Sequence, residues 1–91
     1  MKIIVKGTFD RDVDKIRSKE RLALDNKIIQ IERAKNISLV TGVKLLEGYS
    51  NHYRILIKSK NHSYRIGAVI RNETVWLVWF LPRRIIYKSF P

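Results

Sequence analysis

Arg54, Lys58, Arg65 and Arg83 recur in step with a strand-like alternation in the second half of the chain, and no acid alternates with them. A guanidinium matches a phosphate in bidentate geometry, which favours arginine here over a generic solvated face. Like charges gathered on one surface repel, so the set is best accounted for when an anion supplies the counter-charge. Trp79 shares the phase of Arg83, and Tyr87 follows it; either ring can stack on an unpaired base. Lys60, Arg84 and Lys88 add positive charge around the same stretch. The chemistry implied is a grip on a nucleic-acid backbone. His52 and His62 flank the first strand pair and are candidate acid or base groups. There is no HExxH, no His/Asp ladder and no Gly-rich phosphate loop, so metal catalysis and nucleotide hydrolysis have no support and no cofactor is implied.

Those cations need strands to hold them. Tyr53, Ile55 and Ile57 alternate with Arg54, Leu56 and Lys58. Tyr64, Ile66, Ala68 and Ile70 alternate with Ser63, Arg65, Gly67 and Val69. Trp76, Val78 and Phe80 alternate with Val75, Leu77, Trp79 and Leu81. Period two in β-branched and aromatic residues predicts half-buried antiparallel strands. The Tyr, Ile, Trp and Phe set is the expected core face, Tyr53 and Tyr64 with their hydroxyls at the rim, and the arginine phase is the working face. A turn around Arg71-Asn72-Glu73 joins the last two strands, and Pro82 ends regular pairing.

Upstream, KIIVK (2–6) predicts a first strand ended by Gly7 and Thr8. Asp10 is a candidate N-cap for a short helix with Val13 and Ile16 on its buried side. Ser18 opens a second helix running to about Asn36, with Leu24, Ile28 and Ile31 as its core stripe. Leu22 and Ile29 fall nearly opposite that stripe. Either the first helix covers them in a helical hairpin, or they form an apolar patch for a protein partner. Residues 37–51 read as a connector whose Val43, Leu45 and Leu46 plug the core edge. The expected fold is α+β: a small antiparallel β-sheet with two N-terminal helices packed on one face, in the order β-α-α-β-β-β.

Ninety-one residues make one domain, 1–91, with one modest core. With no cysteine, disulfides and thiolate metal sites are excluded. No apolar run approaches the roughly 20 residues of a membrane helix. The opening MKIIVKGTFD is too short in apolar residues for a secretory signal, so the sequons at Asn36 and Asn72 carry no weight and the cytoplasm is expected. Nineteen Lys and Arg against eight acids give a net charge of +11, a field that attracts polyanions. After Glu47 the only acid is Glu73, so the positive excess collects on the strands. A basic surface with no dedicated partner is the bland alternative.

The pattern YRI, a basic turn, YRIG, an apolar hairpin and FLPRRIIYKSFP resembles the RelE/ParE superfamily of bacterial toxin–antitoxin modules, and within it the RelE branch. KLLEG before the strands and the two leading helices also fit that layout. The resemblance implies a compact sheet with two helices on one side, and the toxin of a type II module restrained by a cognate antitoxin. It implies a metal-independent ribonuclease that cuts messenger RNA in the ribosomal A site by 2′-hydroxyl attack on the adjacent phosphate. On this likeness Arg65 holds the scissile phosphate, Arg83 contacts a phosphate or leaving group, Tyr87 is positioned by the base being cut, and Arg54 supplies a basic position. Leu56 stands where characterised relatives carry a lysine able to act as base, and Trp79 where close relatives often show arginine. These departures imply attenuated activity, with Lys58, His52 or His62 left as candidate bases. Two other readings share the fold or the charge: a ParE-like toxin acting on gyrase by protein contact, and a non-catalytic RNA- or ribosome-binding module.

Overall fold

The computed structural model describes residues 1–58, 63–82 and 86. Strand β1 (Lys2–Val5) leads into helices α1 (Gly7–Val13) and α2 (Ser18–Arg33). A 3-10 turn (Ile37–Leu39) then precedes β2 (Val43–Leu45), β3 (His52–Lys58), β4 (Ser63–Arg71) and β5 (Thr74–Pro82). The five strands form one sheet in the order β1-β5-β4-β3-β2. Three of the pairings are antiparallel and β1 runs parallel to β5, so the sheet is mixed. The α+β architecture is the expected one, with an additional edge strand where a plain connector was anticipated. That strand escapes a reading by alternation because it is only three residues long.

Helix α1 starts earlier than expected. The Lys6 amide donates to the Leu77 carbonyl at 2.9 Å, and the helix begins at the next residue, which puts Asp10 in its first turn and not at the cap. Leu24 and Ile31 bury the inner stripe of α2, and Ile28 packs beside them. They meet Ile55 and Ile57 of β3 and Ile66, Ala68 and Ile70 of β4. Phe9 of α1 meets Phe80 edge-on at a ring separation of 6.0 Å, and Phe80 stacks on Tyr64 at 4.9 Å.

The core face of β5 departs from simple alternation. Phe80 pairs with Ile66 and Trp79 with Gly67, yet the next residue of β4, Ala68, pairs with Leu77, because Val78 is an extra residue on β5. The bulge changes the phase once. Val75 and Leu77, assigned to the outer face by period two, are fully buried, and Trp76 and Val78 turn to the outer face instead. Without the bulge, burying Phe80 would expel Val75 and Leu77, each worth about 1.5–3 kcal/mol of burial. Helix α1 holds the bulge: the Thr8 hydroxyl donates to the Val78 carbonyl at 2.6 Å, and the Phe80 amide donates to Asp12 Oδ2 at 3.0 Å.

The hairpin between β4 and β5 turns through Asn72 (φ 48°) and Glu73 (φ 67°). Two consecutive left-handed residues define the type I′ turn, whose preferred second residue is glycine. A glutamate pays steric strain there that glycine does not. Glu73→Gly is therefore expected to raise stability by about 1 kcal/mol, read as a higher urea midpoint with an unchanged slope.

Candidate nucleic-acid interface

The outer face of the sheet is built by register. Arg54 lies opposite Gly67, Leu56 opposite Arg65, and Lys58 opposite Ser63. Arg65 is thus the diagonal neighbour of both Arg54 and Lys58, at a backbone spacing of about 7–8 Å in each case. Lys44 of β2 pairs directly with Arg54 and extends the group by one strand. Alternation along a three-residue strand is too brief to have marked Lys44, though Val43-Lys44-Leu45 does carry its cation between two apolar residues. Two unit charges 7 Å apart repel by roughly 0.6 kcal/mol in bulk water and about 2.4 kcal/mol at an effective dielectric near 20. An anion bound there would offset such repulsion.

Arg65 is half-buried, and its Nη1 donates to its neighbour's Tyr64 carbonyl at 3.3 Å. That acceptor is neutral, so the charge of Arg65 is not cancelled by it. Arg21 and Asp25 form an ion pair on α2, remote in sequence from Arg65. His52 sits two residues from Arg54 on the same face, with its ring 5.2 Å from that of Tyr49. Lys60, His62, Arg83, Arg84, Tyr87 and Lys88 lie outside the described residues.

Half of this face is not cationic. Leu46 and Ile86 are buried over it, with Val69, Val78, Trp79 and Leu81 packed around them. Trp79, opposite Gly67, is half-buried in that small apolar cluster, which gives its indole a packing role at the edge of the cation patch. Leu46 belongs to this second cluster and Leu45 is exposed, so of the three residues expected to plug the main core only Val43 does so. The cover shields Val69, Val78, Trp79 and Leu81, which face outward there.

On the helical side, Leu22 and Ile29 are 63% and 44% exposed. The hairpin reading fails because α1 lies against β5 and leaves the outer side of α2 open. An uncovered apolar pair is what a protein partner's site would present.

A groove of about 510 Å³ runs between α2 and the free edge of β3, lined by Lys27, Gln30, Thr41, Gly42, Leu56 and Lys58 among others. Gly42 (φ +78°) is required there, since a Cβ would meet that of Leu56 at 3.0 Å. Lys27 Nζ donates to the Thr41 carbonyl and hydroxyl, both at 2.9 Å, and to Gln30 Oε1 at 3.1 Å. These three bonds to neutral acceptors tie α2 to the segment entering β2. Burial holds the Lys27 ammonium below the ordinary lysine range. The unfolded chain therefore binds more protons than the native one between that lowered value and the ordinary one, so this group's contribution to stability rises with pH there. Denaturation at about pH 7 and about pH 9.5 is expected to show wild type gaining on Lys27→Met at the higher pH.

Among the described residues no helix is long and apolar enough to cross a membrane. No family model and no curated protein sequence matches the chain at a significant level. Among solved structures, the chain is similar to the RelE toxin in the RelB–RelE antitoxin–toxin complex of Methanococcus jannaschii. The TM-score is 0.75 and the identity 27%, over 97% of this chain and 99% of the other. Its two N-terminal helices and five-strand mixed sheet are RelE-like.

Proposed function

We propose that this RelE-like chain is the toxin of a type II toxin–antitoxin pair, and that residues 1–91 act as one cytoplasmic domain cutting messenger RNA on the ribosome. The observation that carries the reading is Arg65 flanked diagonally by Arg54 and Lys58, with Lys44 beyond, on strands whose sequence holds no acid between Glu47 and Glu73. In-line attack by a ribose 2′-hydroxyl on the adjacent phosphate forms one P–O bond and breaks the bond to the 5′ oxygen of the next nucleotide. The products are a 2′,3′-cyclic phosphate and a free 5′-hydroxyl. Negative charge builds on the phosphoryl oxygens in the transition state, where a fixed guanidinium stabilises it most.

Arg65 would hold the scissile phosphate, with Arg54 and Lys58 beside it. Lys58, diagonal to Arg65, would take the 2′ proton, since the residue directly across from Arg65 is Leu56; His52 lies farther along β3, opposite Val69. The family likeness adds Arg83 and Tyr87 for the leaving group and the cut base; the charges of Lys60, Arg84 and Lys88 and the ring of Trp79 would give further RNA contact. An antitoxin with an acidic segment complements a chain of net charge +11, and Leu22 and Ile29 offer it an apolar foothold on α2. The related RelE was crystallised with its RelB antitoxin.

The test supplies the purified chain to ribosomes programmed with a defined message and maps cuts by primer extension. Cleavage with cyclic-phosphate ends, abolished by a single 2′-deoxy nucleotide at the cut, is the expected result. Ribosome binding without any cut would leave a non-catalytic binding module. Gyrase-dependent DNA breakage with intact message would move the chain to the ParE-like reading.

A further inference from the structure

The bulge at Val78 creates a second feature on the outer face. By turning Trp76 outward, it places an indole opposite Val69 at the hairpin end of the sheet. Lys6 Nζ stands 5.4 Å from the centre of that ring. Trp76 and Lys6 share a hollow of about 490 Å³ with Val69, Arg71, Asn72, Thr74 and Val78. Among the described residues its lining holds two cations, two neutral polar side chains and no carboxylate. Along β4, Val69 is four residues from Arg65 on the same face, roughly 13–14 Å away.

We infer that this hollow is a stacking subsite for one unpaired nucleobase of single-stranded RNA, with Trp76 as the platform and Lys6 and Arg71 contacting the flanking phosphates. A flat aromatic floor with cations at its rim is how sequence-tolerant single-strand sites are built, because every base offers a π-face and every linkage a charge. Lys6 Nζ lies over the indole in the free protein; a stacked base would take that place and leave the ammonium to meet a phosphate. An acidic peptide would also meet the cations, but it gains little from the half-buried indole. The inference rests on the RNA-directed reading given above and extends it to nucleotides beyond the cut.

The experiment titrates the full chain with a short, fluorescently labelled oligouridylate, following anisotropy and tryptophan emission together. Wild type is expected to bind with quenching. Trp76→Leu should weaken binding roughly tenfold and remove most of the quench, while Trp76→Phe stays within about threefold. Lys6→Ala combined with Arg71→Ala, both exposed and tolerant positions, should lower the slope of log K against log salt by about 1.4. The inference is overturned if Trp76→Leu and the double variant, each folded by circular dichroism, bind oligouridylate as wild type does. It is equally overturned if polyglutamate, and not oligouridylate, perturbs the Trp76 emission. The readout needs no cleavage, so an inactive nuclease with an intact Trp76 effect would refute the catalytic reading alone.

Discussion

Arg65→Ala is expected to lower the rate of message cleavage by roughly 10²–10³-fold while leaving the melting temperature unchanged or slightly raised. Both halves come from one piece of geometry. Arg65 sits between two diagonal cations, so its removal relieves repulsion in the free protein and withdraws the charge that the transition state needs. The hydrogen bond lost, from Nη1 to the Tyr64 carbonyl at 3.3 Å, is long and only partly buried, and water replaces it easily. Arg65→Lys keeps the charge and loses the bidentate fork, so it should recover only part of the rate. Time courses of primer extension on programmed ribosomes, beside thermal melts of the same preparations, read both quantities. A variant cutting within threefold of wild type would remove Arg65 from the chemistry. A fall in melting temperature of about 4–8 °C or more would mean that its role is structural, since for a domain this size that corresponds to about 1 kcal/mol.

The phase of β3 and β4 was legible because period two runs unbroken from Tyr53 to Ile57 and from Tyr64 to Ile70, and every buried residue there except Gly67 was an expected one. Those two strands carry Arg54, Lys58 and Arg65, so the centre of the candidate site was legible too. Strand β5 was not. In VWLVWF every residue is apolar, so either phase looks buried, and what decides between them is a bulge held by Thr8 and Asp12 from seventy residues away. Lys44 was hidden for a different reason: a three-residue edge strand has no period to detect, and only its pairing with Arg54 gives it meaning. The spacing of Leu22 and Ile29 correctly set them against the core stripe of α2 but could not say what covers them, because that depends on where α1 docks. Local pattern locates a side chain on its own element; the company it keeps is a property of the packed whole.

Thr8→Val combined with Asp12→Ala is expected to destabilise the fold by about 2–4 kcal/mol, because each change strips a half-buried backbone group on β5 of its partner. The Val78 carbonyl loses the Thr8 hydroxyl, and the Phe80 amide loses the Asp12 carboxylate. Neither group can turn to β1, whose pairing with β5 ends at Val5 and Leu77. At 91 residues this predicts a drop in melting temperature of about 10–25 °C. Arg11→Ala, exposed on the same helix, should stay within about 0.5 kcal/mol and serves as the control. The single variants should together cost more than the double, because once one anchor is gone the bulge relaxes and the other has less to hold. Additive losses would mean that Thr8 and Asp12 act as separate caps. A double variant as stable as wild type would mean that β5 keeps its phase by side-chain packing alone, with Val75, Leu77 and Phe80 sufficient to hold Trp76 outside.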